Sequence, residues 1–200
     1  GTLRWRHDGL EVQVADARLP WDDGFWLGAL AGRGLHLPDV EIGSLHIIDQ
    51  RPPSPAGEPL QQLVLPLPLS LSWRIGTLAR PALTLAELRG HYRYGPFAPD
   101  AAAAPAMDAL PAGEAAHQIG IDHVRLAQGS YRAQAVLGAR APMPLRLHLG
   151  GDLAAPRPDG SPLPLQAEAS VDGSLAGVDA LLHAQAQVRP ADGANQAAEV

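Results

Sequence analysis

The chain contains no cysteine. Disulfides, thiolate metal sites and cysteine nucleophiles are therefore excluded. Lysine is absent as well, so all 15 basic residues are arginine. That removes a Walker A lysine, a Schiff-base lysine and a kinase-type lysine. Aromatic residues make up only 4% and charged residues 18%, against about 25% charged in an ordinary domain. No apolar stretch approaches the ~20 residues that span a bilayer. The longest early one, Phe25 to Ala31, is far too short, and Gly1 to Leu10 has no apolar leader region. The net charge is −6, and an acidic chain without lysine is poorly suited to nucleic-acid phosphates. No nucleic-acid partner is expected. The missing cysteine suits an oxidising compartment, though it suits the cytosol too.

What is abundant is glycine, 21 residues, and proline, 20 residues, alongside 46% hydrophobic side chains in 200 residues. Arginine in place of lysine, with much Ala, Gly and Pro, reads first as GC-rich coding. The length fits one domain. The dominant pattern has period two. Large apolar residues recur at Leu63, Leu65, Leu67, Leu69, Leu71, Trp73 and Ile75, with Ser70, Ser72 and Arg74 between the later ones. Leu145, Leu147 and Leu149 alternate with Arg146 and His148. Leu165, Ala167, Ala169 and Val171 alternate with polar residues, as do Leu182, Ala184, Ala186 and Val188. Successive strand side chains point to opposite faces, so these are strands with one apolar and one wet face. Further strands are expected at Leu10 to Val14, Val40 to Ile48, Leu83 to Tyr94, Ile119 to Leu126 and Tyr131 to Leu137, with a turn at Gln128-Gly129-Ser130. Asp172-Gly173 interrupts the alternation as a bulge or turn. A short helix over Asp23 to Leu30, capped by Asp22 or Asp23, is the only helical candidate.

The expected fold is all-β: an elongated, curled, antiparallel-type sheet with one apolar face. Six stretches follow from composition: an aromatic-rich 1–49, a Pro-rich loop 50–62, strands over 63–95, an Ala/Pro excursion over 96–116, repeat strands over 117–190, and a weak tail 191–200. The 96–116 stretch has too little apolar surface to offset the cost of ordering, so it is expected to be mobile. A repeat opens three strands: Pro66-Leu67-Pro68-Leu69, Pro142-Met143-Pro144-Leu145 and Pro162-Leu163-Pro164-Leu165. Prolines two apart remove donors from one strand edge, so each strand should enter unpaired on that side.

No arrangement of residues carries catalysis. The eight histidines, His7, His36, His46, His91, His117, His123, His148 and His183, show neither metalloprotease spacing nor a carboxylate partner motif. They read as surface residues whose single replacement leaves the fold unchanged. Ser44 and Ser130 lack a nucleophile elbow. Gly28, Gly32 and Gly34 do not have dinucleotide-loop spacing and read as a turn into a strand at Leu35. Asp8, Glu11, Asp22 and Asp23 read as solvated charges and a helix cap. Neither a cofactor nor a metal is expected. Trp5, Trp21, Phe25 and Trp26 form an aromatic group that either caps the sheet or offers an apolar contact surface. The candidate site is the apolar lining itself: Leu65, Leu67, Leu69, Leu71, Trp73, Leu145, Leu147, Leu149, Leu163 and Leu165.

Three runs resemble a known family: Phe25 to Leu45, Leu67 to Tyr94, and His117 to Pro190. They hold serial Leu-rich alternating strands opened by Pro-Leu-x-Leu, the Glu87-Leu88-Arg89-Gly90 run with Tyr92 and Tyr94, and Gly173-Ser174-Leu175-Ala176-Gly177. The chain resembles TamB-type subunits of the translocation and assembly module, within the AsmA-like, bridge-like group. The resemblance implies a periplasmic β-groove anchored in the inner membrane. It implies a non-enzymatic role in outer-membrane protein or autotransporter assembly, in phospholipid transport between membranes, or in both. Lipid acyl chains or client β-strands would be the cargo. The family's anchor and the domain that docks on an outer-membrane Omp85-type partner have no counterpart in these residues. A closed β-sandwich or solenoid interaction module of a secreted protein is the alternative.

Overall fold

The alternating stretches become strands, and the strands join in chain order. The computed structural model describes residues 1–20, 28, 32, 34–52, 60–97 and 113–191. Ten strands are present: β1 Thr2–His7, β2 Leu10–Ala15, β3 Leu35–Asp49, β4 Leu69–Arg80, β5 Leu83–Pro96, β6 Ala115–Leu126, β7 Gly129–Gly138, β8 Pro144–Pro156, β9 Pro162–Ser174 and β10 Leu182–Pro190. They form one sheet in the order β1 to β10, whose end strands do not meet, so it does not close into a barrel. Every described strand belongs to this sheet, which excludes a sandwich of two packed sheets for these residues.

Three features depart from expectation. β1 was not foreseen, although Leu3 and Trp5 alternate with Arg4 and Arg6. It folds back on β2 through Asp8-Gly9, both at positive φ (43° and 82°), the backbone of a tight hairpin turn. β3 and β4 pair in parallel rather than antiparallel. The connection over 50–68 is longer than the about a dozen residues that a parallel crossover needs. The third departure lies in that connection. Leu63, Leu65 and Leu67 alternate like strand residues, yet β4 begins only at Leu69. Pro66 and Pro68 cannot donate to a ladder. The stretch bonds elsewhere: Leu63 N–H donates to the Ala139 carbonyl (2.8 Å) and Ala141 N–H to the Gln61 carbonyl (2.8 Å). It thus straps across the end of the sheet to the β7–β8 turn.

The proline repeat behaves as expected at β9. The Pro164 carbonyl accepts from Ala191 N–H (3.0 Å), so the edge lacking its N–H faces β10 just where β10 ends at Pro190. The β6–β7 turn is Ala127-Gln128, one residue before the expected site, because Gly129 already pairs with Leu126. Asp172-Gly173 lies within β9; a side chain on Gly173 would strike the Leu181 carbonyl. The helix expected over 23–30 lies almost wholly outside the described residues, as do Asp22, Trp21, Phe25, Trp26, and most of the 96–116 excursion and the 191–200 tail.

Candidate functional site

Strand register converts the alternation into rows. Paired residues share a face, so each row can be followed across the sheet. One row runs Leu35, Leu69, Tyr94, His117, Leu137, Leu145, Gly173, Leu182. The next runs Leu37, Leu71, Tyr92, Ile119, Ala135, Leu147, Val171, Ala184, and the third Val40, Trp73, Gly90, Ile121, Ala133, Leu149, Ala169, Ala186. Beyond them Ile75, Leu88 and Val124 pack with Ile42 and Tyr131. His117 is the one ionisable side chain in the first three rows apart from the tyrosines, and the face is otherwise apolar from β3 to β10.

The opposite face is mostly polar, except near the start of β6, where Ala116 and Val136 are buried with Phe97. One of its rows reads His36, Ser70, Arg93, Gln118, Val136, Arg146, Asp172, His183. A depression of about 410 Å³ on it lies over Gly150, where a side chain is missing. Asp122, Asp152 and Glu168 surround it together with Arg132 and Arg189. The two signs offset each other, and Arg189 already pairs with Glu168 at 3.4 Å. No group of His, Asp and Glu suited to a metal occurs among the described residues.

Eight of the ten expected lining residues, Leu69, Leu71, Trp73, Leu145, Leu147, Leu149, Leu163 and Leu165, fall in strands and on this one face. Leu65 and Leu67 do not; they belong to the strap, half-buried. Most of the lining is half-buried, and its middle stays open: Ile119 is 43% and Leu149 37% exposed. Alternation in β6 and β7 pointed to Ile119, Ile121, Ala133 and Ala135 as lining, but their runs are shorter and less leucine-rich. Tyr92, Tyr94 and Tyr131 were hidden by their polar hydroxyls.

Glycines let aromatic rings lie flat on this face. A Cβ on Gly90 would fall 2.8 Å from the Trp73 indole, and one on Gly151 would run into the Tyr131 ring. The rings cover backbone that a side chain would otherwise shield.

His117 corrects the view of histidines as surface residues. It is 5% exposed. Its Nε2 lies 2.7 Å from the Leu63 carbonyl, and its Nδ1 2.6 Å from the Tyr92 hydroxyl. A carbonyl only accepts, so Nε2 carries a proton and donates. In the neutral ring Nδ1 then accepts from Tyr92. The ring also lies tilted against Tyr94, with centroids 4.7 Å apart. Burial raises the Tyr92 phenol above its ordinary range. This cluster pins the strap to the sheet.

Glu11 is a second correction, for it is not a solvated charge. It is 6% exposed, covered by the arginines of β1. Arg4 stands 2.7 Å away, and Arg6 and Gln13 also bond it. Hydrogen bonds from Arg4, Gln13 and Arg6 lower its pKa to about 2. Asp8 lies in the hairpin turn, 3.1 Å from His7. Gly34 (φ 102°) leads into β3 at Leu35, as expected of a turn. Ser44 and Ser130 are strand residues of β3 and β7. Trp5 stays 48% exposed beside Val12, so it caps no core.

Compared with known proteins, the chain matches no family model, no curated protein and no solved structure. Among the described residues no helix is long and apolar enough to cross a membrane.

Proposed function

We propose that this chain is a non-enzymatic section of a periplasmic lipid conduit whose apolar face holds phospholipid acyl chains in transit between membranes. In this reading the inner-membrane anchor and the outer-membrane contact belong to parts of the protein outside these 200 residues. The observation that carries it is the continuous apolar face from β3 to β10 with an open centre at Ile119 and Leu149. A single-sided sheet ordinarily covers such a surface with a second layer. Exposed apolar patches of this kind mark binding surfaces. The TamB-type resemblance supports the compartment and the lipid class.

Outer-membrane protein or autotransporter assembly, with a client β-strand as cargo, is the second reading. The face favours lipid. Strands β2 to β9 have both edges paired, so the face presents side chains and no free backbone groups. A strand laid on it would leave its own N–H and C=O groups without partners, which costs free energy. An acyl chain has no such groups.

Leu147→Arg tests the proposal. On an open face the guanidinium reaches water and the protein still folds. The expected outcome is a nearly unchanged melting temperature with loss of saturable uptake of a photo-crosslinkable phospholipid. A collapsed melting temperature would mean that the face is packed rather than open. Unchanged uptake would place the lipid elsewhere.

A further inference from the structure

The relief of the apolar face is uneven. On β4 and β5 it is filled by large side chains, among them Leu71, Trp73 and Tyr92, and the Trp73 ring also covers Gly90. On β7 it drops. Ala133 lies between Ile121 of β6 and Leu149 of β8, and Ala135 between Ile119 and Leu147. Among the described strands only β7 combines an alanine floor with large aliphatic walls on both sides. On β9, Ala169 has Leu149 on one side but Ala186 on the other. A methyl group is too short to cover the flank of an isoleucine or a leucine. Ile119 therefore stays 43% and Leu149 37% exposed, although both lie in mid-sheet. The trough runs along the strand. At one end Leu137 lies between His117 and Leu145, next to the strap, and at the other the Tyr131 ring lies over Gly151. At about 3.4 Å per residue, Tyr131 and Leu137 are about 20 Å apart. β6, β7 and β8 each pair on both edges, so the floor presents no free row of backbone donors and acceptors.

We propose that this trough seats a single acyl chain, extended along β7, and that Ala133 and Ala135 set its capacity. The inference rests on the lipid reading of the apolar face given above. The strands that carry the walls are two sheet spacings apart, about 9.6 Å. One methylene chain over the alanines meets both walls at about 4–4.5 Å, the ordinary contact distance between apolar groups. Two chains side by side do not fit. A lipid tail reaches about 15 Å, half of a bilayer's hydrocarbon core, which is within the length of the trough. Depth, rather than apolar area alone, then decides binding. Added apolar volume in the floor lowers uptake even though it makes the face more hydrophobic.

The test is uptake of a phospholipid that carries its photo-crosslinker at mid-chain. Ala135→Leu and Ala133→Leu fill the trough. Each should lose saturable uptake and melt as the parent does, because both positions are half-buried on an open face. If leucine unfolds the sheet, Ala135→Val, a good strand former, takes its place. Val171→Leu enlarges the same row on β9, beyond Leu147 and outside the trough, and should leave uptake unchanged. Crosslinks in the parent should fall on peptides of β6 to β8. Uptake kept or raised in the alanine variants overturns the trough and leaves the lipid reading standing. So do crosslinks spread evenly from β3 to β10, or an equal loss in Val171→Leu, since position would then not matter. A parent chain that takes up no phospholipid removes the lipid reading itself, and the trough with it.

Discussion

Two buried polar side chains hold separate parts of the sheet, Glu11 on β2 and His117 on β6, and each has a measurable signature. Removing His117 strands the Leu63 carbonyl and the Tyr92 hydroxyl in a covered site. His117→Ala should cost about 2–4 kcal/mol, read as lowered thermal stability, whereas His148→Ala and His183→Ala on the exposed polar face should change it by less than about 0.5 kcal/mol. Tyr92→Phe removes one of the two bonds and should cost about 1 kcal/mol. Equal effects for His117 and His148 would contradict the strap anchor. Glu11 is the second case. Its folded pKa is depressed to about 2 from a usual 4.5. Its contribution is thus complete above pH 4.5 and is lost as pH falls through about 2. The Glu11 carboxyl resonance should titrate near 2 in the folded protein and move towards 4.5 in Arg4→Ala. A normal titration in the parent chain would show that the β1 arginines do not hold it.

Strands here depend on what sits beside them as much as on their own alternation. The Trp73–Gly90 and Tyr131–Gly151 contacts are cross-strand pairs in which the ring occupies the space of a missing side chain. Gly151→Val favours strand by propensity, yet it must displace Tyr131 from the cluster of Ile75, Leu88 and Val124. It should destabilise by about 2 kcal/mol, and combining it with Tyr131→Ala should restore part of the loss. Additive losses would show that the two do not interact. The same dependence explains the strap. Leu63, Leu65 and Leu67 have the alternation of β4, but the prolines among them withhold donors, and Leu63 bonds to Ala139 instead.

At the scale of the molecule, no second layer covers the sheet among the described residues, so its apolar face is left to water or to a ligand. Among the described residues, the strap is what interrupts the surface. The strap closes one end of the rows, near Tyr94 and His117, while the β8–β9 hairpin carries Leu153, Leu163 and Leu165 past β7 at the other. Leu147→Arg addresses that face, and it should abolish lipid uptake while leaving the melting temperature nearly unchanged.

The alternation of apolar and polar residues determined the strands, their two faces and most of the lining, because strand side chains point by period two whatever the neighbours are. Gly and Pro placement determined where strands begin and turn. Pairing across the chain was decided only in three dimensions. The parallel β3–β4 pair depends on how a long connection returns, which no local pattern encodes. The burial of His117 depends on a carbonyl 54 positions away, and that of Glu11 on arginines brought back by a hairpin. Alternation states which side of a strand is apolar. Whether that side is covered depends on what else packs there, and only the tertiary structure leaves Ile119 and Leu149 exposed at its centre.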